Sequence, residues 1–391
     1  MPTPETHALL SASSSDRWLH CPPSAKLAAQ YPVKTSDYAE AGRVAHAIAE
    51  LKARKHFIEP MGARSFAGYM RKYKADPHYD PGMEAATDMY LDTLKELAMG
   101  CDSAPFVALE QRVSFDDIVP GGFGTADCIM VSGDALIVVD YKNGQGVPVE
   151  AKGNSQLTLY AWGALRSYRP IYGDMLRRVI LVIVQPHAGG VKQHQTTVDA
   201  LTEWAHDVVA PTAALAADGA GVYQHGDWCR FCPAKGDCRA RAEAMLALEP
   251  EAERDPARLT PEELGDVLTR ARYLEAWAKD LKDTAFARAM AGNPVPGHKL
   301  VAGRKSREWS SGTDAAFAAL VEREIPEALL YERTPVTVAK LEKALGTAEF
   351  KAKAADLVAT RPGKPTLVPD SDTRPEYSPA AAAFEAVTPD A

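Results

Sequence analysis

Apolar positions change period several times along the chain, and each change marks an element. Met83, Ala86, Tyr90, Leu94 and Leu97 fall on one stripe, which predicts a helix over 83–99. Ala39 to Leu51 has the same period and sets His46 and Glu50 on one face, four residues apart. Earlier still, Leu9 to Ser15 leads into Asp16-Arg17-Trp18-Leu19-His20-Cys21. This reads as a short helix capped by a serine and stopped before Pro22-Pro23. Residues 107–113 read as a strand, 155–165 as a helix, and 177–185 as a continuous apolar strand of the fully buried kind. Residues 194–198 look like that strand's edge partner, and 200–218 return to helix.

Between these lies the stretch on which the rest is organised. Ile129, Met130 and Val131 run into Ser132-Gly133-Asp134, and Leu136 to Val139 follow, apolar and β-branched. Two short apolar runs around a Gly-Asp turn predict a β-hairpin. Side chains alternate along a strand, so Asp140 and Lys142 point the same way, and Asp127 can face them from the neighbouring strand. Two carboxylates at the end of a buried hairpin repel unless a cation neutralises them, and a divalent metal with hard oxygen ligands does so. A lysine beside such a metal suits hydrolysis of a phosphodiester: the metal polarises the phosphate and activates water, and the ammonium orients that water or steadies developing charge. An ordinary hairpin ending in solvated charges is the plainer alternative.

Composition changes this picture little. The 391 residues suffice for two domains, or one large core with appendages, and 46% hydrophobic with 25% charged residues is ordinary for a globular protein. No apolar run reaches the roughly 18 residues that span a bilayer. The start of the chain lacks a signal peptide's apolar core, so the expected place is the cytoplasm, with no membrane partner. The formal charge of −8 argues against a protein coated in nucleic acid but leaves room for a local basic channel. Residues 52–74 offer one, with Lys52, Arg54, Lys55, Arg64, Arg71, Lys72 and Lys74 interleaved with Phe57, Phe66, Tyr69 and Tyr73. Arg166, Arg169, Arg177 and Arg178 offer another; a solvated helix face is the alternative for each.

The cysteines add a second chemistry. Cys229, Cys232 and Cys238 form a C-x2-C-x5-C run, which without disulfides predicts a metal site. Three thiolates need a fourth ligand. Cys21, followed by Pro22 as Cys232 is by Pro233, is favoured over Cys101 and Cys128, with His20 and His225 also open. Spacing alone does not separate zinc from a [4Fe–4S] cluster.

Taken together, His46, Gly124-x-x-Asp127, Asp140-Tyr141-Lys142, Gln156-x-x-x-Tyr160 and one early plus three late cysteines resemble the RecB-type PD-(D/E)XK nucleases. Within them the set is similar to the iron–sulfur branch, which includes CRISPR-associated spacer-processing nucleases and AddB-type recombination nuclease domains. Two further segments, Leu10-Ser11-x-Ser13-x-x-x-Arg17-Trp18-x-x-Cys21-Pro22 and Gly297-His298-Lys299-Leu300-Val301-x-Gly303-Arg304, resemble a phage and prophage family known only as a domain of unknown function. The nuclease resemblance covers about residues 9–240, and the closer one extends to about 350.

The resemblance implies an α/β fold of the restriction-endonuclease type, a central mixed sheet flanked by helices. It implies Mg²⁺ or Mn²⁺ held by His46, Asp127, Asp140 and the Tyr141 carbonyl, with Lys142 catalytic and Gln156 and Tyr160 near the active site and the DNA. Cys21, Cys229, Cys232 and Cys238 would hold a [4Fe–4S] cluster, with Zn²⁺ the alternative. The expected activity is a deoxyribonuclease, an exonuclease in phage recombination or replication. DNA, single-stranded or at ends, is the expected partner, with a phage single-strand-binding or recombination protein beside it. A DNA-binding or packaging factor with little turnover, and a zinc-stapled scaffold, are the competing readings. The PD of the usual motif is Ala126-Asp127 here. A staple from residue 21 to 229–238 closes a loop of about two hundred residues, which would restrict the unfolded chain and make the cluster structural.

The expected nuclease domain is 1–245, followed by a charged linker at 246–259 containing Pro250 to Pro256. A mainly helical region, 260–360, starts at Thr260-Pro261-Glu262-Glu263 and carries Leu264, Val267, Leu268, Ala271, Leu274 and Trp277 on a stripe. Pro294 to Trp309 reads as a hairpin or extended arm with Lys299, Arg304, Lys305 and Arg307. The tail, 361–391, reads as disordered.

Overall fold

Five strands follow the apolar runs: β1 (Phe106–Ser114), β2 (Phe123–Ser132), β3 (Ala135–Tyr141), β4 (Arg178–Gln185) and β5 (Gly190–Thr197). The structure is a computed structural model and describes residues 8–32, 36–247, 259–301, 313–331 and 336–358. Ser132 pairs with Ala135 across Gly133-Asp134, so β2 and β3 form a two-residue hairpin. Gly133 has φ 54°, the positive value that primed hairpin turns require. The sheet order is β1-β2-β3-β4-β5, antiparallel except for the parallel pair β3–β4.

A parallel pair needs a crossover, and α6 (Ser155–Tyr172) supplies it between β3 and β4. Before the sheet come α1 (Ser15–His20), α2 (Ser24–Ala29), α3 (Asp37–Phe57), α4 (Ala63–Lys74) and α5 (Gly82–Met99). After it come α7 (Val198–Glu203), α8 (Ala210–Asp218), α9 (Arg239–Leu246) and α10 (Pro261–Met290). The pleat divides the core in two. Leu136 and Val138 of β3 join Leu157, Leu159, Ala161 and Leu165 of α6, while Ile137, Val139 and Tyr141 join Ile48 of α3 and Tyr90 and Leu94 of α5. The result is an α/β architecture, a mixed sheet covered by helices on both faces. Residues Met1–Ala287 form one compact unit and Arg288–Ala391 a second. The second contains α11 (Thr313–Glu322), α12 (Val338–Leu345) and α13 (Thr347–Ala354), with Ala316 and Phe350 buried.

Some expectations change in detail. Ser14 precedes α1 but makes no side-chain cap bond. Ser15 Oγ instead meets Ser155 Oγ at 2.6 Å, which ties the N-terminal turn to α6, and the Trp18 indole donates to the Ser11 carbonyl, which closes the turn on itself. The helix over 200–218 starts at Val198 and is interrupted by a π-helical stretch, Trp204–Val209, just before Pro211, which has no N–H to continue the α ladder. The apolar stripe of α10 has no buried residue, and Leu264 and Leu268 stay exposed. Residues 294–301 carry no strand; 302–312 of the expected arm, most of the expected linker and the tail lie outside the described residues. No helix among the described residues is long and apolar enough to cross a membrane.

Candidate metal centre and cysteine pocket

The hairpin delivers its two aspartates where it ends. Cys128 pairs with Val139, so the next step along each strand sets Asp127 beside Asp140. Asp140 follows Leu136 and Val138 in the pleat, is almost fully buried, and has Lys142 Nζ 2.9 Å from its Oδ2. Lys142 is the counter-charge of this buried oxygen. Lys142 also donates to Gln156 Oε1 at 3.0 Å, and Gln156 Nε2 donates to the Tyr160 hydroxyl at 3.0 Å. One turn of α6, started by the Asn154 side chain accepting from Leu157 N–H, thus aims Gln156 and Tyr160 at the lysine.

On the other side, Asp127 Oδ2 accepts the Tyr141 N–H at 2.7 Å and lies 3.4 Å from His46 Nδ1, which projects from α3. The His46 ring meets the Tyr141 ring edge-on. Gly124 is required here: a Cβ on it would come within 2.5 Å of Tyr160 Cε1, so the glycine of the Gly-x-x-Asp motif lets the tyrosine ring lie against the strand.

The electrostatics agree with a surplus of negative charge. Burial raises the Asp140 carboxyl; Lys142 opposes this and Asp127 adds to it, and the net shift is upward. Burial would lower His46 and Lys142, but Asp127 and Asp140 respectively outweigh it and both bases are raised.

All five sequence-level residues of the catalytic set and His46 therefore converge at the open end of β2–β3. The tightest group of ligand atoms is different from the expected one, however. His46, Glu110 and Asp127, all half-buried, present ligand atoms within 4.8 Å of one another, whereas Asp140 stands with Lys142. Glu110 was not singled out by the sequence, because in Leu109-Glu110-Gln111-Arg112 it looks like one more polar position of a half-exposed strand. Only the register reveals it: Leu109 pairs with Cys128 and Gln111 with Ala126, which puts Glu110 opposite Asp127. Burial, then Asp127 and Glu50, push its carboxyl up to about 7.

The cysteines form the second site. Cys21, Cys229, Cys232 and Cys238 line one small pocket, with Cys21 at the end of α1 and Cys238 before α9. Gln224 N–H lies 3.4 Å from Cys21 Sγ and points a donor at it. Cys101 and Cys128 lie elsewhere: Cys101 donates to the Leu97 carbonyl, and Cys128 is buried in β2 against the α3–α5 layer. His20 stacks on Trp228 at 4.3 Å, and His225 packs against Tyr273.

The basic runs are less basic than they read. Lys52 is buried, donating to the Glu84 carbonyl and pairing with Asp88, so it ties α3 to α5. Arg54 pairs with Glu50, Lys74 with Glu84, and Lys55 sits over Phe66. In the second set Arg166 meets Asp116 and Asp117, Arg169 meets Asp174, and Arg178 meets Asp134. Arg64, Arg71 and Lys72 remain exposed. A groove of about 910 Å³ runs beside the cysteine pocket, and Arg17, Trp228, Arg230, Phe231 and Tyr273 help to line it.

A family model described as "Protein of unknown function (DUF2800)" matches residues 7–375. Among solved structures, one titled "Crystal structure of SSO0001" is similar over 58% of this chain and 96% of that chain, at 15% sequence identity and a TM-score of 0.24. That score is too low to carry an argument about fold or activity.

Proposed function

This chain belongs to the family of proteins of unknown function DUF2800, and we propose, from the chemistry of its site, that it is a divalent-metal-dependent deoxyribonuclease of the PD-(D/E)XK type. The observation that carries the reading is the convergence, at the end of the β2–β3 hairpin, of Asp127, the buried Asp140 paired with Lys142 at 2.9 Å, and His46 3.4 Å from Asp127. Two neighbouring carboxylates against one lysine leave negative charge that a divalent cation would neutralise. His46, Asp127, Asp140 and the Tyr141 carbonyl would hold Mg²⁺ or Mn²⁺. Bound there, the ion would polarise a phosphodiester and acidify a water.

The chain's own groups do the rest. Lys142, fixed between Asp140 and Gln156, keeps its proton and presents positive charge where the pentavalent phosphate develops negative charge. Gln156 and Tyr160 hold the ammonium in one direction, so that little reorganisation accompanies the reaction. The four cysteines would hold a [4Fe–4S] cluster, or Zn²⁺ in its place. The Gln224 N–H aimed at Cys21 suits a thiolate. The exposed Phe231, with Trp228, Tyr273, Arg17 and Arg230, offers stacking faces and cations suited to a single strand leading to or from the site. Exonuclease action on DNA ends in phage recombination or replication is the specific form we favour, in a cytoplasmic setting.

The test is cleavage of end-labelled linear single- and double-stranded DNA by anaerobically purified wild type and Asp140→Ala. Metal-dependent cutting that the variant loses supports the reading, and the ladder gives the polarity. A cluster-loaded wild type that binds DNA and cuts neither substrate would instead make the protein a binding or packaging factor.

A further inference from the structure

Two polar side chains of the N-terminal segment reach the cysteine pocket with nothing there to bond. Arg17 Nε and Ser24 Oγ are both buried, and among the described residues neither has a hydrogen-bond partner. Both residues line the pocket that Cys21, Cys229, Cys232 and Cys238 share, and Ser24 as a whole is only 3% exposed. A buried donor left unpaired costs stability, so two of them in one pocket call for an acceptor. Their placement follows from the local fold. Arg17 stands one turn before Cys21, whose N–H bonds the Arg17 carbonyl at 2.8 Å, so the two share a face at the end of α1. Ser24 opens α2, and its own N–H returns to the Cys21 carbonyl at 2.9 Å. The other two cations of the pocket are already held. Lys235 pairs with Asp280, and Arg241 pairs with Asp280 and donates to the Lys235 carbonyl.

We propose that Arg17 Nε–H and Ser24 Oγ–H donate hydrogen bonds to the sulfur atoms of the metal group that the four cysteines hold. They would join the Gln224 N–H, 3.4 Å from Cys21 Sγ. The assignment rests on the reading of the cysteines as a metal site and is independent of DNA cleavage. Charge supports it. Four thiolates carry four negative charges, and Zn²⁺ or an oxidised [4Fe–4S] core carries two positive, so either group is an anion. Lys235 and Arg241 share Asp280, which leaves Arg17 as the pocket cation that faces this charge. A donor to the sulfurs favours the more negative, reduced cluster, so removing one lowers the reduction potential.

The experiment is an anaerobic redox titration of the full chain, followed by the paramagnetic resonance signal of the reduced cluster. Arg17→Met, which keeps the stem, should move the midpoint to more negative potential at unchanged iron content. Ser24→Ala should move it the same way by less. Arg239→Met controls for charge alone: it removes a cation beside Cys238 whose side chain is 81% exposed, and it should move the midpoint less than Arg17→Met does. In a protein that purifies with zinc, competition against a chelator takes the place of the titration, and Arg17→Met should bind zinc about tenfold more weakly. Wild-type potential, or wild-type zinc affinity, in both Arg17→Met and Ser24→Ala overturns the assignment, as does an equal shift in Arg239→Met. Should Arg17→Met lose its metal outright, Ser24→Ala decides: a shifted midpoint upholds the donors and a wild-type one removes them. A wild type with neither iron nor zinc defeats the metal reading and the assignment together. A loaded wild type that its variants match defeats the assignment alone.

Discussion

In the proposed nuclease Lys142 would act from a position fixed twice, by Asp140 and by Gln156. Replacing it with methionine keeps the stem but leaves Asp140 buried without its counter-charge, so turnover should fall by about 10²–10³ while DNA binding changes little. Single-turnover rates and a binding isotherm on the same preparation would check this, and a pure loss of affinity would contradict it. Gly124→Ala tests the close approach of Tyr160. The added methyl would need the ring to move, costing about 1–3 kcal/mol and displacing the Gln156–Tyr160 hydrogen bond, so stability and rate should both fall. At this scale the strand period exposed Asp127, Asp140 and Lys142, while Gln156 and Tyr160, one helical turn apart, were tied to them only by the family resemblance. The sequence hid Glu110, whose significance depends on a cross-strand register, and it offered Lys52 as a surface charge when the side chain is buried between α3 and α5.

The elements were legible wherever an apolar run had a single partner. The hairpin, β4 and α5 all follow their periodicity, and each is packed on the sheet or forms it. The pattern failed to say where α10 would go, because its apolar stripe meets little of the protein and its attachment is ionic. Asp280 on α10 pairs with Lys235 at 2.8 Å and Arg241 at 2.7 Å, next to the cysteine segment. Burial alone would raise the Asp280 carboxyl, but those two cations bring it below the ordinary carboxylate range. A depressed folded-state value means that the stabilisation is complete above the unfolded-state value and disappears as pH falls through the folded one. Asp280→Asn should therefore cost about 3 kcal/mol near neutrality, since it strands a buried arginine. Melting curves of wild type and variant should converge on acidification; a gap that stays constant to low pH would sink the argument.

Over the whole molecule, an early and a late segment of the first unit meet at the cysteines, with Cys21 just after α1 and the other three from 229–238 lining one pocket. If these residues hold a cluster, Cys21→Ser should lower both the iron content and the melting temperature, because the loop it closes is about two hundred residues long. Unchanged iron in that variant would remove Cys21 from the ligand set. Phe231→Ala, at the exposed edge of the adjoining groove, should weaken single-stranded DNA binding by roughly 1–3 kcal/mol with little change for duplex. Equal losses on both substrates would argue against a stacking platform. The broad α/β design could be read from the sequence because strands and helices alternate around the β3–α6–β4 crossover. The division at residues 287/288 could not, since no change of composition marks it within α10.

The central claim is that a divalent cation at the end of the β2–β3 hairpin makes this protein cut DNA. Its most direct test takes one anaerobic preparation of the full chain, treats it with a chelator, and follows linear end-labelled DNA before and after Mn²⁺ is returned. Binding is measured in the same tubes, and Asp140→Asn is run alongside. The account predicts binding throughout, cutting only after Mn²⁺ is restored, and no cutting by Asp140→Asn. Cutting that persists in the chelated protein or in Asp140→Asn, or binding without any cutting once Mn²⁺ is back, would contradict it.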